Sequence, residues 1–205
     1  MKLSSNIINI AFQYVINNSK LYNIDESHAL KHSMEVYHYA NKIYNSELPN
    51  SPFLCNQKNI IMCSAILHDM CDKKYLDENI GIEKMNDFMS KILNEYELSI
   101  INNIITTMSY STVKKNGFPE LNEYNLAYHI VREADLLCGY DVDRCIIYQM
   151  MHEGWDYTNS IIIANNLFKI RMFNYISDNL FVTEYSKTQA KILHDKAIND
   201  LANII

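Results

Sequence analysis

His68 and Asp69 stand side by side at the end of the most apolar stretch of the chain, which runs from Ile60 to Leu67. Neighbouring side chains on a helix diverge by about 100°, so both can reach one cation placed beside the helix. An imidazole and a carboxylate at the buried end of such a helix cost free energy unless they are paired or bound to a metal. The dipeptide alone leaves two interpretations open, a metal-binding pair and an ordinary polar helix end.

More residues of the same kind occur on both sides of this pair. His28 and His32 are four residues apart, which places them on one face of a predicted helix. Asp135 lies among apolar neighbours in another predicted helix. The chain therefore carries the order His, His-Asp, Asp on helices, and this order favours a metal site over a chance polar pair.

This order resembles the HD superfamily of metal-dependent phosphohydrolases. The segment His68–Tyr75 matches the pattern His-Asp-x-x-Asp-x-Lys-Tyr, and Ile104–Ser111 resembles the Ile-Ile…Ser-aromatic-Ser stretch of the YedJ/YpgQ-like branch. In that branch an acidic-Ala-Asp motif follows, as Glu133–Asp135 does here. The similarity covers roughly 25–144. It implies an all-α helical bundle of the HD type with a metal site in its core.

The resemblance implies that His32, His68, Asp69 and Asp135 bind one divalent ion. Two imidazoles and two carboxylates leave open positions for water and suit Mn²⁺, Co²⁺, Ni²⁺, Fe²⁺, Mg²⁺ or Zn²⁺. Ligand type does not choose among these metals, and we take Mn²⁺ as the favoured one.

The residues around this set supply candidates for catalysis and substrate binding. Asp72 lies four residues after His68, on the same face if the helix continues, where a carboxylate can orient or deprotonate a water. In the 5′-deoxynucleotidase branch a catalytic Glu holds this spacing. Lys74, which matches the family Lys, and its neighbour Lys73 are candidate phosphate contacts, and His28 is a further one. Each of these side chains also has a plain interpretation as a solvated helix end or a structural contact.

The sequence also departs from the family pattern. Ser109 and Tyr110 match a family motif, but the residues themselves suggest no role for them. The related branch continues Asp-Arg-Leu-Asp after the acidic-Ala pair, whereas Leu136 and Cys138 follow Asp135 here. Substrate preference is therefore not copied from either branch.

The remaining histidines favour one metal ion rather than two. The two-metal branches need additional histidines between the His-Asp pair and the last Asp, and this interval holds His129 alone. His129 is six residues before Asp135, so the two side chains point about 120° apart on a helix. We interpret His129 as structural, together with His38, His152 and His194.

The elements that must position these residues are helices. The 205 residues include 4 Gly and 3 Pro, too few for most turn-rich β folds, and the length predicts a single domain, 1–205. Hydrophobic periodicity predicts one helix that follows the Asp25–Ser27 caps and ends at about 44, and another that follows Gly81 and ends at about 93. It also predicts helices over about 6–18, 57–72, 97–108, 123–138, 142–151, 160–176 and 183–202. The last two are expected to complete the bundle. Their aromatic residues are expected to form core or a dimer surface: Trp155, Phe168, Phe173 and Phe181.

Charge and cysteine usage limit the partners and the compartment. The net charge of −6 offers no basic stripe for a nucleic-acid duplex. We expect neither a membrane span nor a signal peptide. Five cysteines without a CxxC motif are typical of a reducing, cytoplasmic location.

The sequence thus predicts a phosphohydrolase acting on a small nucleotide-like phosphoester or phosphoanhydride. A nucleoside triphosphate pyrophosphohydrolase and a nucleotidase are the leading classes. The alternatives are a catalytically inactive HD-fold module that binds metal or nucleotide and regulates a partner, and an unrelated helical interaction protein. A homodimer is possible.

Overall fold

A computed structural model describes residues 2–204 and consists of helices joined by short turns, with no strand among those residues. The all-α prediction is confirmed. The described part of the chain holds ten α-helices: α1 (Lys2–Tyr22), α2 (Leu30–Glu47), α3 (Lys58–Leu67), α4 (Glu78–Met89), α5 (Glu95–Thr107), α6 (Tyr110–Asn116), α7 (Asn125–Cys138), α8 (Val142–Met151), α9 (Tyr157–Ile170) and α10 (Glu184–Ile204).

Helix α3 is the centre of the bundle. Every residue from Ile60 to Leu67 is buried, because α1, α2, α5 and α7 all pack around this helix. A helix that is apolar on all sides is stable in water only when it is covered in this way. Helices α2 and α7 also pack on each other, α8 packs on α9, and α10 lies against α7. The His-Asp pair therefore directly follows a helix that four other helices enclose.

Polar side chains fix where several of the helices begin. Asn94 and Glu97 form a reciprocal capping box at the start of α5. Asp77, Asp141 and Asp156 accept backbone N–H groups at the first turns of α4, α8 and α9. These caps set the direction in which α8 and α9 leave the site.

Several predicted boundaries are wrong, and each has a local cause. The helix expected over 57–72 ends at Leu67, and the Ala65 carbonyl in its last turn accepts a hydrogen bond from His68 Nδ1 (2.9 Å). The helix expected directly after the Asp25–Ser27 caps begins at Leu30, because the Asp25 carboxylate accepts the Ser27 N–H and this segment forms a turn.

Other boundaries differ at the ends of helices. The seven-residue α6 was not predicted, since its polar, β-branched sequence has no helical period; the Ser109 cap and the buried Val113 hold it. The helix expected over 160–176 starts at Tyr157 and ends at Ile170, where a short 3₁₀ turn over 172–174 takes over.

The turn between α3 and α4 carries Asp69, Asp72, Lys73 and Lys74, and α4 packs tightly against it. A Cβ on Gly81 would lie 3.1 Å from the Cα of Cys71, so a larger residue would have to push the turn away by a few tenths of an ångström. This contact supports the turn from behind.

The C-terminal aromatic residues divide between core and surface. Phe168 and Phe181 are buried and Phe173 packs against the core, whereas half of the surface of Trp155 (49%) is exposed. All five cysteines are free thiols. None of the helices within 2–204 combines the length and apolar character needed to cross a membrane.

Candidate metal centre

Four side chains from three parts of the chain converge on one point. His32 comes from α2, His68 and Asp69 follow α3, and Asp135 comes from α7. His32 Nε2 lies 3.0 Å from His68 Nε2, and 3.3 Å from both Asp69 Oδ2 and Asp135 Oδ1. His68 Nε2 lies 3.2 Å from Asp69 Oδ2 and 3.7 Å from Asp135 Oδ1. The structure thus brings together all four residues expected to bind metal.

The spacing of these atoms fits a common coordination shell. For metal–ligand bonds of about 2.1 Å, neighbouring ligand atoms are about 3.0 Å apart in an octahedron and about 3.4 Å apart in a tetrahedron. The observed separations of 3.0 to 3.7 Å span these values. His32 and His68 are almost fully buried, with side-chain exposures of 1% and 3%. Three of the four residues, His32, His68 and Asp135, form one buried group that could hold a metal ion.

The protonation of His68 supports the same conclusion. Its Nδ1 donates to the Ala65 carbonyl, so Nε2 is the atom that faces the cluster. Burial alone would lower the pKa of His68, but Asp69 and Asp135 outweigh it and raise that pKa to about 10. The two carboxylates therefore stabilise positive charge at a point where two imidazole nitrogens face each other, which is what a cation site requires.

Both carboxylates of the cluster are ionised. Burial opposes this, but the neighbouring histidines, with Arg144 assisting at Asp135, hold the pKa of Asp69 and of Asp135 well below the usual range. Arg144 from α8 lies 3.5 Å from Asp69 Oδ2 and 3.7 Å from Asp135 Oδ1, and its Nε donates to the Ser27 carbonyl. Arg144 thus contacts both carboxylates of the cluster and is itself held by the Ser27 carbonyl.

A second group of possible ligands, His28, Asp69 and Asp72, lies beside the first. Here a cation is already supplied by the chain. The Lys74 ammonium lies 3.2 Å from His28 Nε2 and 3.2 Å from Asp72 Oδ2. Lys74 thus places a positive charge against two of the three residues of this second group.

His28 is oriented for this contact by a chain of hydrogen bonds. The Asp25 carboxylate accepts hydrogen bonds from Ser27 Oγ and from Tyr75 Oη, the latter at 2.6 Å. Ser27 Oγ in turn lies 2.6 Å from His28 Nδ1. With Nδ1 protonated, Nε2 is left to accept from Lys74. Burial, chiefly, lowers the pKa of His28 well below its usual value, so the ring is neutral. His28 lies before α2 rather than on the same helical face as His32, but the two rings remain 6.2 Å apart.

Two adjoining cavities of about 210 and 240 Å³ open onto the cluster. Both are lined by Asp69, Asp72, Lys74, Ser109, Tyr110, Asp135 and Arg171. Lys73 lines the first cavity, and His28 lines the second. The residues expected to act on substrate therefore do border the space beside the cluster. Leu136 and Cys138, by contrast, are buried in the core and reach neither cavity.

The charges around the second cavity balance before any ion is added. Three carboxylates, Asp69, Asp72 and Asp135, face the three cations Lys74, Arg144 and Arg171. A divalent ion would give this cavity a surplus of two positive charges. The cavity would then favour an anionic ligand such as a phosphate.

Two cations that line the second cavity, Arg144 and Arg171, were not among the site residues predicted from the sequence. Arginine is rare in this chain, with 3 Arg against 15 Lys. In such a lysine-rich sequence, each arginine marks a place where a planar, five-donor cation is needed. That scarcity is the signal that could have identified both residues.

The other histidines lie apart from the cluster. His38 is exposed, and His194 packs its ring against Phe173 (4.9 Å). His152 stacks on Tyr148 (5.0 Å, 17° between planes), a residue that lines the second cavity. His129 packs edge-on against Phe118 (4.9 Å), and its Nδ1 accepts from Arg132 (3.3 Å).

His129 is expected to make the fold sensitive to acid. Burial, and then Arg132, lower the pKa of His129 to about 4 in the folded chain, against about 6.5 when unfolded. The unfolded state therefore binds the extra proton first, and stability falls as the pH drops from 6.5 toward 4. By pH 4.5 the loss is about 2 kcal/mol.

Urea unfolding of the wild type and of His129→Asn between pH 4.5 and 7 measures this loss. The Asn Oδ1 can still accept from Arg132, so the variant should show a shallower dependence on pH. His38→Gln, which changes an exposed histidine, should keep the wild-type slope. Equal slopes in all three proteins would show that His129 titrates normally.

Comparisons with known proteins inform the fold alone. No known family model matches the chain, and no curated protein does. The chain is similar to a protein from Lactobacillus plantarum whose crystal structure was determined in a structural-genomics programme. The two are 17% identical, the TM-score is 0.68, and the match covers 97% of this chain and 96% of that one. The helical arrangement as a whole is therefore one that a solved protein also adopts.

Proposed function

We propose that the protein is a divalent-metal-dependent phosphohydrolase of the HD type that acts on a small nucleotide-like substrate. The observation that carries this proposal is the convergence of His32, His68, Asp69 and Asp135 beside a cavity that also presents Lys74 and Arg144. The donor set fits a single ion, with Mn²⁺ favoured. A metal bound there would polarise a phosphoryl oxygen and lower the pKa of a bound water.

The side chains around the ion would bind the substrate phosphate, hold the metal ligands in position and exclude water. Lys74, held by Asp72 and His28, can bind a phosphate oxygen of the substrate as a point charge. Arg144 keeps the Asp69 and Asp135 carboxylates in position while substrate binds. The buried imidazoles exclude bulk water from one side of the reacting phosphate, which strengthens every charge interaction there.

Asp72 is the candidate for orienting the attacking water. Its Oδ1 accepts the Lys74 backbone N–H (2.9 Å), which fixes the carboxylate against the turn. Its Oδ2 contacts the Lys74 ammonium and borders both cavities. When a phosphate draws Lys74 toward itself, Oδ2 becomes available to accept a proton from water.

Chromatographic product analysis tests the proposal directly. Chelator-treated protein is incubated with nucleoside mono-, di- and triphosphates, before and after Mn²⁺, Co²⁺ or Mg²⁺ is returned. We expect turnover that depends on the added metal, and the product distinguishes a pyrophosphohydrolase from a nucleotidase. Tight nucleotide binding without turnover under any of these metals would instead favour a regulatory binding module.

Replacing Lys74 by alanine is expected to lower kcat/KM by about 10- to 100-fold, the range for loss of a charge-assisted hydrogen bond. Lys73→Ala is the matched comparison, because Lys73 is exposed, lines the first cavity alone, and makes no hydrogen bond or ion pair with the side chains described, those of residues 6–204. We expect a change of less than about threefold there. Steady-state kinetics measures both, and equal losses would remove the distinction between the two lysines.

A further inference from the structure

Arg171 is a cation at the site that pairs with no carboxylate within residues 2–204. It ends α9 and lines both cavities, together with Asp69, Asp72 and Asp135. Its guanidinium lies over the Tyr110 ring, 4.8 Å from the centroid, and its Nε donates to Tyr175 Oη (3.1 Å). Stacking and one hydrogen bond therefore fix the plane of the guanidinium at the wall of the cleft.

The other two cations of the second cavity are engaged with carboxylates, and Arg171 is not. Lys74 pairs with Asp72, and Arg144 pairs with Asp69 and Asp135. Within residues 2–204, Arg171 has no carboxylate oxygen within 4.0 Å. Its terminal nitrogens are thus free to bind an anion, and they lie more than 4.0 Å from the carboxylates of the cluster, whereas Arg144 lies within 3.7 Å of both.

The position of Arg171 in the cleft bears on the number of phosphate groups that a ligand there can have. A single phosphate at the metal cluster can be neutralised by Lys74 and the ion, with no contribution from Arg171. A chain of phosphates that starts at the cluster and extends along the cleft would bring its distal groups to Arg171. A planar guanidinium binds two oxygens of one phosphate at once, which a lysine cannot do.

We infer that Arg171 binds the distal phosphates of the substrate, so that the cleft selects a nucleoside di- or triphosphate over a monophosphate. The inference rests on the proposed function for the identity of the site as a phosphate site. It assigns to Arg171 a role in specificity that can be measured by binding alone.

The test is calorimetric titration of the Mn²⁺-loaded protein with inorganic tripolyphosphate and with orthophosphate, with Mn²⁺ in excess over either anion. We expect Arg171→Gln to weaken tripolyphosphate binding by about 10- to 100-fold and orthophosphate binding by less than about threefold. Arg171→Lys keeps the charge without the paired donors and should fall between the two. Lys169→Gln removes an exposed cation from the same helix turn and should bind like the wild type.

Steady-state kinetics distinguishes the role of Arg171 from the proposed phosphohydrolase activity. In Arg171→Gln, kcat/KM should fall for a nucleoside triphosphate and stay nearly constant for a monophosphate. The role of Arg171 would be overturned if the variant lost equal affinity for the two anions or equal kcat/KM for the two substrates. It would also be overturned if the wild type bound tripolyphosphate no better than orthophosphate. Failure of the wild type to bind metal or to hydrolyse any phosphate would instead overturn the proposed function.

Discussion

Replacing Asp69 by alanine is expected to remove both the bound metal and the activity. Asp69 Oδ2 lies within 3.3 Å of the Nε2 atoms of His32 and His68. Within residues 2–204, Asp69 and Asp135 are the two carboxylates that contact Arg144 and both of these histidines. Loss of an ion that contributes several kcal/mol to transition-state stabilisation corresponds to a rate decrease of about a thousandfold or more. The metal content measured after dialysis should fall from one ion per chain to near zero.

The chain contains a matched control for this change. Ile192–Asp195 repeats the Ile-Leu-His-Asp string of Ile66–Asp69, but Asp195 is exposed on α10, away from the cluster. Asp195→Ala should therefore retain metal and activity. Asp69→Asn keeps the shape of the side chain and separates loss of charge from loss of packing. A fully active Asp69→Ala protein would refute the metal centre.

Replacing Glu133 by alanine should cause the largest loss of stability. Its carboxylate is fully buried on α7 and accepts the Val182 N–H (2.7 Å), the Thr183 N–H (3.2 Å) and the Thr183 hydroxyl (2.6 Å). The buried Arg132 lies 3.5 Å away and donates to the Leu180 carbonyl. Truncation leaves the Arg132 charge without its carboxylate partner and the Val182 and Thr183 N–H groups without an acceptor, at a cost of about 3–5 kcal/mol.

Thermal unfolding measures this loss. For a chain of this size the expected decrease in Tm is roughly 6–20 °C. Glu184→Ala, which removes an exposed carboxylate paired with Lys187 at the start of α10, should change Tm little. The resemblance in sequence places Glu133 in a motif with Asp135, and a catalytic role would predict the opposite: Glu133→Gln would lose activity while Tm stayed unchanged.

The sequence by itself determined the fold class and the four residues of the cluster. Apolar periodicity predicted most of the helices, because burial of one face is a local property that each helix carries in its own sequence. The Ile60–Leu67 run predicted a fully enclosed helix, and the His-Asp pair follows it. His32 and Asp135 were added by order along the chain and by resemblance, since nothing local distinguishes them from structural residues.

Only the tertiary structure decided which charges meet at the site. The turn after Leu67 depends on the side chain of His68 and on the close packing at Gly81, so the helical spacing used to place Asp72 did not apply. Arg144 and Arg171 reach the cleft from α8 and the end of α9, far along the chain from His68. Their position depends on how α8 and α9 pack across the bundle, and contacts between distant segments leave no periodic pattern in a single sequence.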